Sequence, residues 1–281
     1  MAAARQGNRW IDHDEPAPVT IINREGRSRA VLVCDHASAV IPRRLGELGL
    51  PASERYRHIA WDIGAADVAG RLSDSLDAPL ALAGYSRLVI DLNRPLHVDD
   101  LCADRSEDTV VPGNVDLPHA QKAERVESFY WPYHDAVHDV IETQIQVGTI
   151  PVLVSVHSFT PVYRGAARPW HVGVNYRLDP RLARHILSAL RAEKGLVVGE
   201  NEPYDVNLEG DYTAPVHAER RGLPYVLFEI RQDLIDRESG ALEWAARLAA
   251  ALAPALDHPE LFDLADPAPD VREPRYEGGK R

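Results

Sequence analysis

The chain has 281 residues, of which 45% are hydrophobic and 26% charged, the balance of an ordinary globular α/β protein with enough length for one well-buried core. Its 43 acidic against 31 basic residues leave a formal charge of -12, which opposes phosphate backbones and anionic lipid surfaces and argues against a nucleic-acid partner. Two cysteines, Cys34 and Cys102, cannot build a disulfide framework, and no apolar run reaches the roughly 18 residues that span a bilayer. The expectation is therefore a cytoplasmic protein without a membrane partner.

In chain order, short apolar runs that read as buried strands alternate with stretches of helical spacing. Residues 1–15 are expected to be extended or poorly ordered, ahead of a core expected to span about 28–257. The predicted strands are Ala30 to Cys34, Leu80 to Ala83, Leu88 to Leu92, Pro151 to Val156, His171 to Asn175, Leu196 to Val198 and Tyr225 to Ile230. Helices are predicted at Gly64 to Leu76, Glu124 to Ile145, Pro180 to Glu193, Tyr212 to Arg221 and Leu242 to Leu256. Pro95 to Pro118 reads as a long loop, functional or merely solvated, and Asp263 to Arg281 as an extended or poorly ordered tail. The alternation implies a single α/β domain with a mixed, mostly parallel sheet and helices on both faces.

Ligands collect at the carboxyl ends of parallel strands, so polar residues that follow apolar runs carry the information. His36, after the run ending at Cys34, and His157, after Val152 to Val156, stand at two such ends. Either alone is more often a structural histidine, but together they could offer two imidazole nitrogens to one metal ion. Asp62 is open to two readings, third ligand or helix N-cap. Glu229, inside an otherwise apolar run, must be paired or used; a general base is one reading and an ion pair with Arg231 the other, which the alternation of strand side chains weakens. Asn93 and Arg94 could grip a carboxylate, or Arg94 could pair with Asp91 or the acidic loop behind it. A competing motif is His134-Asp135-Ala136-Val137-His138, with histidines one helical turn apart, which an amphipathic helix explains equally. Cys34 reads as a small buried thiol finishing a strand.

Taken together, Cys34-Asp35-His36-Ala37-Ser38, Trp61-Asp62-Ile63-Gly64-Ala65, Tyr85 to Arg94, Ser155-Val156-His157-Ser158-Phe159, Asn201-Glu202-Pro203-Tyr204 and Phe228 to Asp233 resemble the N-formylglutamate amidohydrolase family from about Val31 to Ile235. The resemblance implies a fold akin to the zinc carboxypeptidases and aspartoacylases. It further implies a metal ion, zinc or another divalent transition metal, on His36, His157 and Asp62, with Glu229 as base and Arg94 with Asn93 for the substrate carboxylate. Carboxypeptidases place a glutamate three residues after their first metal histidine, whereas Ala39 stands there here, which is why Asp62 is the expected third ligand.

The implied reaction is metal-assisted hydrolysis of the amide bond of a small acidic N-acyl amino acid, with formate and glutamate as products if the family activity holds. Arg87 or His217 would support the oxyanion, though each is also readable as an ordinary surface or helix residue, and Tyr204 would close the pocket. The rival readings are a zinc deacylase or carboxypeptidase-like amidase on another N-acyl amino acid or small peptide, and a metal-binding relative without catalysis. Retention of Glu229 speaks against the last, because an apolar residue would be cheaper in that environment.

Overall fold

The computed structural model describes residues 10–272. Its centre is a seven-stranded mixed sheet built from β1 (Val19–Ile22), β2 (Ala30–Cys34), β3 (Leu80–Ala83), β4 (Val152–Phe159), β5 (Val172–Asn175), β6 (Val198–Glu200) and β7 (Tyr225–Arg231), in the order β1-β3-β2-β4-β7-β5-β6. The pairs β3/β2, β2/β4, β4/β7 and β5/β6 are parallel; β1 and β5 run antiparallel to their neighbours β3 and β7. The single α/β domain expected from the alternation of apolar runs is the fold observed.

Every residue of β2 and β4 is buried, as central parallel strands covered on both faces require. Alternate residues feed two cores. Ala30, Leu32, Cys34, Val152, Val154, Val156, Val226, Phe228 and Ile230 pack with α1 (Ala65–Leu76), α4 (Arg181–Arg191) and α6 (Glu238–Leu256). On the opposite face Val31, Val33, Leu153, Tyr225 and Leu227 pack with the helical region that begins with α2 (His119–Arg125) and continues through α3 (Trp131–Gln146). The period of two along each strand puts His157 and Glu229 on this second face, in step with Leu153 and Leu227. In the β4/β7 register they are direct partners.

Several elements differ from the sequence expectation. Leu88 to Leu92 is buried but turns rather than pairing as a strand: Asn114 Nδ2 donates to the Leu88 carbonyl, Arg125 Nη1 to the Val89 carbonyl, and Val89 N–H to the Ser86 carbonyl. Side chains take the backbone groups that a ladder would otherwise satisfy. The helix expected over Glu124 to Ile145 starts earlier, at His119, and has a π-turn at Val126–Tyr130 just before Pro132, whose missing N–H interrupts the regular ladder. Tyr212 to Arg221 contracts to α5 (Thr213–His217) and a 3-10 turn, Glu219–Arg221. The edge strand β1 has no counterpart among the predicted strands, and β6 overlaps the predicted Leu196 to Val198 only at Val198.

The Pro95 to Pro118 loop carries only 3-10 turns and a two-residue ribbon, Arg105–Ser106 against Thr109–Val110. Of the two segments expected to be extended, residues 1–9 and 273–281 lie outside the described residues. Residues 263–272 form neither helix nor strand, yet Ala265 and Ala268 donate their N–H groups to the Gly222 and Glu219 carbonyls.

Gly64 opens α1 with φ +78°, and a Cβ there would stand 2.1 Å from the Ile235 carbonyl oxygen. Gly64→Ala is expected to destabilise the protein by about 2 kcal/mol or more, because backbone strain and a backbone clash add. Chemical denaturation with an unchanged m-value would measure it, and a neutral result would contradict the close approach.

Candidate metal and catalytic site

His36 leaves the end of β2, His157 belongs to β4, and Asp62 sits in the turn before α1, tied to the first strand end by its own N–H on the His36 carbonyl. These three residues converge. Asp62 Oδ2 lies 2.9 Å from His157 Nδ1 and 3.4 Å from His36 Nδ1, with the three ligand atoms all within 4.8 Å of one another. Asp62 does not cap α1, whose N-cap is Gly64 without a side-chain bond. The cap reading of Asp62 is thereby replaced by one in which its carboxylate faces both imidazoles.

The far nitrogen of each ring faces a further carboxylate, bonded directly to it in His36 and, in His157, beside a bond to the Ser155 hydroxyl. His36 Nε2 is 2.7 Å from Asp91 Oδ1, while Arg87 binds the other Asp91 oxygen through Nε and Nη2 at 3.0 and 2.6 Å. His157 Nε2 is 2.9 Å from Ser155 Oγ and 3.4 Å from Asp35 Oδ2. Asp35 in turn accepts hydrogen bonds from the Tyr133 and Thr213 hydroxyls, on α3 and α5, at 2.7 and 2.9 Å. Outer carboxylates that fix the tautomer and plane of an imidazole are the usual support of metal-binding histidines. Asp35 and Asp91 both stand in the motifs read from sequence, but their partnership with particular rings does not show there. Tyr133 and Thr213 carry no signal in a single sequence.

Three carboxylates and two imidazoles are thus buried together beside the half-buried Arg87 guanidinium. Burial opposes ionisation of Asp62, but His36 and His157 overcome it and hold its pKa low; Asp91 is held well below the usual range by Arg87 and His36 in the same way. Burial works against protonating His157, yet its bonds to Asp35 and Asp62 raise its pKa well above normal. For His36, burial and the Arg87 charge are outweighed by Asp91 and Asp62, and its pKa rises too. An excess of negative charge draws positive charge onto the rings, in the place a cation would occupy. The donor set fits a divalent metal ion on two further counts. His36 Nδ1 is buried without a hydrogen-bond partner, and the 3.4 Å to Asp62 Oδ2 matches the ~3.3 Å edge of a tetrahedron with bonds of about 2.0 Å.

Glu229 faces the same space from β7. Its Oε2 is buried without a hydrogen-bond partner, and Arg231 is not its counter-ion, since Arg231 Nε binds Asp233. Burial raises the Glu229 pKa to about 7, against the opposing pull of His157. Gly173 is the β5 residue opposite it in register, and its lack of a side chain lets the Glu202 backbone pass close by.

A cleft of about 540 Å³ opens over these groups, lined by His36, Asp62, His157 and Glu229 at its base and by Arg87, Arg94, Arg105 and Arg164 among its cationic side chains. Asn93 lines it too, but its side chain is already engaged: Oδ1 accepts from the Tyr212 and Thr213 N–H groups and Nδ2 donates to Asp211. Its place is that of a brace between two loops, a correction to the expectation of direct carboxylate binding. Arg94 reaches Asp100 at 3.1 Å and the Gly210 carbonyl. Tyr204 is half exposed on the cleft wall, its hydroxyl accepting from Arg168 Nη1 at 2.9 Å.

His217 is not part of this cleft. It lines a separate cavity of about 430 Å³ together with His134 and His138. His134 Nε2 donates to the Leu92 carbonyl, so its Nδ1 accepts from His217 Nε2 at 3.0 Å. Both rings are neutral: burial lowers the pKa of His134 to about 4 and holds that of His217 well below its ordinary value. An oxyanion role for His217 is thus displaced by a structural one, and the His134/His138 pair forms no three-ligand cluster among the described residues. Cys34 is buried and its thiol is pushed up in pKa by that burial, as a strand-end core residue should be.

The sequence model of the N-formylglutamate amidohydrolase family matches residues 28–236, which include every residue of the convergent cluster. The chain belongs to that family. The crystal structure of a gene product of Agrobacterium tumefaciens superposes with a TM-score of 0.85 at 38% identity, covering 88% of this chain and 98% of that one. N-formylglutamate amidohydrolase from Ralstonia eutropha JMP134 shares the fold at 23% identity and a TM-score of 0.60, covering 85% of this chain and 97% of that one. No curated protein matches. As a family member the protein is an amidohydrolase. Among the described residues no helix is long and apolar enough to cross a membrane.

Proposed function

We propose that the protein is a metal-dependent hydrolase of N-acyl acidic amino acids that converts N-formyl-L-glutamate to formate and L-glutamate. The observation that carries this reading is the register pair His157 and Glu229, which sets a carboxylate with one buried, unpartnered oxygen beside the point where His36, His157 and Asp62 converge. A zinc ion held by those three residues would acidify water and polarise the formyl oxygen. Glu229 then takes a proton from the attacking water as its oxygen joins the formyl carbon, and returns it to the amine nitrogen as the C–N bond breaks. Arg87, at the cleft wall and anchored by Asp91, offers its charge to the oxygen that becomes negative. Arg94, which also lines the cleft, receives the substrate carboxylates, with Tyr204 at the margin. Asn93 holds the Tyr212-Thr213 backbone against the loop that bears Arg94.

Formate release from N-formyl-L-glutamate, compared with turnover of N-acetyl-L-aspartate and N-succinyl-L-glutamate, tests the reading. Formate release that is lost on chelation and restored by zinc is expected. Turnover of only the longer acyl groups would replace it with a deacylase, and full activity after complete metal removal would defeat the metal dependence.

Arg94→Met is expected to lower kcat/KM for N-formyl-L-glutamate about 10- to 100-fold, the loss of one charge-assisted contact, mainly through KM. An equal loss on an N-formyl amine that carries no carboxylate would show that Arg94 acts on the fold instead.

A further inference from the structure

A second group of metal-ligating side chains lies outside the catalytic cleft. His185 projects from α4, whereas His258 and Glu260 follow the end of α6. His185 Nε2 is 2.6 Å from Glu260 Oε1, and His258 Nδ1 is 3.4 Å from that same oxygen. The two rings lie with centroids 3.9 Å apart at 35°. One ligand atom from each residue lies within 4.8 Å of the others, which among the described residues is otherwise true only of His36, Asp62 and His157.

The backbone under this group is fixed on both sides. Arg181, on the same helix as His185, donates through Nη1 to the Glu260 and Asp263 carbonyls at 2.6 and 2.8 Å. Leu261 is fully buried, and its N–H bonds the His258 carbonyl at 3.0 Å. The partners therefore need no loop rearrangement to meet an ion. A tetrahedral ion with bonds of about 2.0 Å sets its ligand atoms ~3.3 Å apart. The His258 to Glu260 distance already has that value. The shorter His185 to Glu260 distance is a hydrogen bond that opens by under ~1 Å when the cation replaces the shared proton.

We propose that His185, His258 and Glu260 form a second divalent transition-metal site, for which zinc is the probe of choice, and that an ion there fastens α4 to the segment following α6. Two imidazoles and one carboxylate suit zinc, nickel or copper and leave water in the remaining position. All three side chains are partly exposed, and the nearby Arg184 charge acts on Glu260, so affinity below that of the buried centre is expected. The fastened segment leads directly into residues 263–272, which the Gly222 and Glu219 carbonyls hold.

The test compares the full-length protein with His258→Ala and Glu260→Gln, the latter nearly isosteric. All three are stripped with a chelator, dialysed against micromolar zinc and analysed for zinc per chain, formate release and Tm. The wild-type protein is expected to hold about one zinc more than either variant and to gain Tm on zinc addition by a margin both variants lack. The formate-releasing activity of zinc-loaded His258→Ala should equal that of the wild type. Equal zinc content in all three proteins overturns the proposal, as does a variant Tm deficit that is the same with and without zinc. Failure of the catalytic-metal reading would lower every count together and leave the difference intact.

Discussion

Glu229→Gln is expected to retain zinc and to lose formate release by about 100- to 10,000-fold, the range associated with removing a positioned general base. The substitution preserves volume, and Phe228 and Ile230, on the other face of β7, stay packed in their own core. The register with His157 is a backbone property and is unaffected. Metal content measured beside the kinetics separates loss of the base from loss of the ion; unchanged turnover would remove Glu229 from the mechanism. A stability signature accompanies it in chelator-treated protein. Because burial raises the Glu229 pKa from 4.5 to about 7, the folded state binds this proton more tightly than the unfolded chain. That stabilising contribution is complete below pH 4.5 and is lost as pH rises through about 7. The glutamine variant should therefore gain stability relative to wild type across that interval, as denaturation at paired pH values would show.

Asp91→Ala should be the most damaging substitution for structure and metal together. Asp91 accepts from the Arg87 guanidinium, the Asn93 N–H and the His36 ring. Removing it strands a nearly buried imidazole and a guanidinium, at a cost of about 3–5 kcal/mol for breaking such a pair. It also releases His36 from its tautomer and plane, which typically weakens metal affinity by about 10- to 100-fold. Asp91→Asn, which keeps an acceptor but not the charge, should fall between. Urea unfolding and zinc titration read the two effects separately. If the alanine variant matched wild type in both, His36 would have to be positioned by Asp62 alone.

The strands that carry the centre are legible as apolar runs, with His36 and His157 marked by their place at the ends of two such runs and Glu229 by its place inside one. Legibility stopped at contacts between distant elements. Asp62 could not be told from a helix cap until its carboxylate was seen to face two rings. Asn93 has the right residue type for a substrate contact, yet its amide is consumed by the Tyr212 and Thr213 backbone. His217 sits in a helix with no periodic mark to show which cavity it faces, and the structure turns it toward His134. Leu88 to Leu92 misled for a related reason: a buried run reads as a strand, and only Asn114 and Arg125, well downstream in sequence, show that its carbonyls are served by side chains.

That last arrangement has an evolutionary consequence. His157 and Glu229 are rooted in sheet hydrogen bonding, whereas Arg87, Asp91 and Arg94 lie on or beside a stretch pinned by an asparagine and an arginine borrowed from other parts of the chain. Drift in those two pins would shift Arg94 and, through Asp91, the support of the His36 ring and of Arg87 as well, so the substrate-facing wall and part of the hydrolytic centre are tied to the same two side chains.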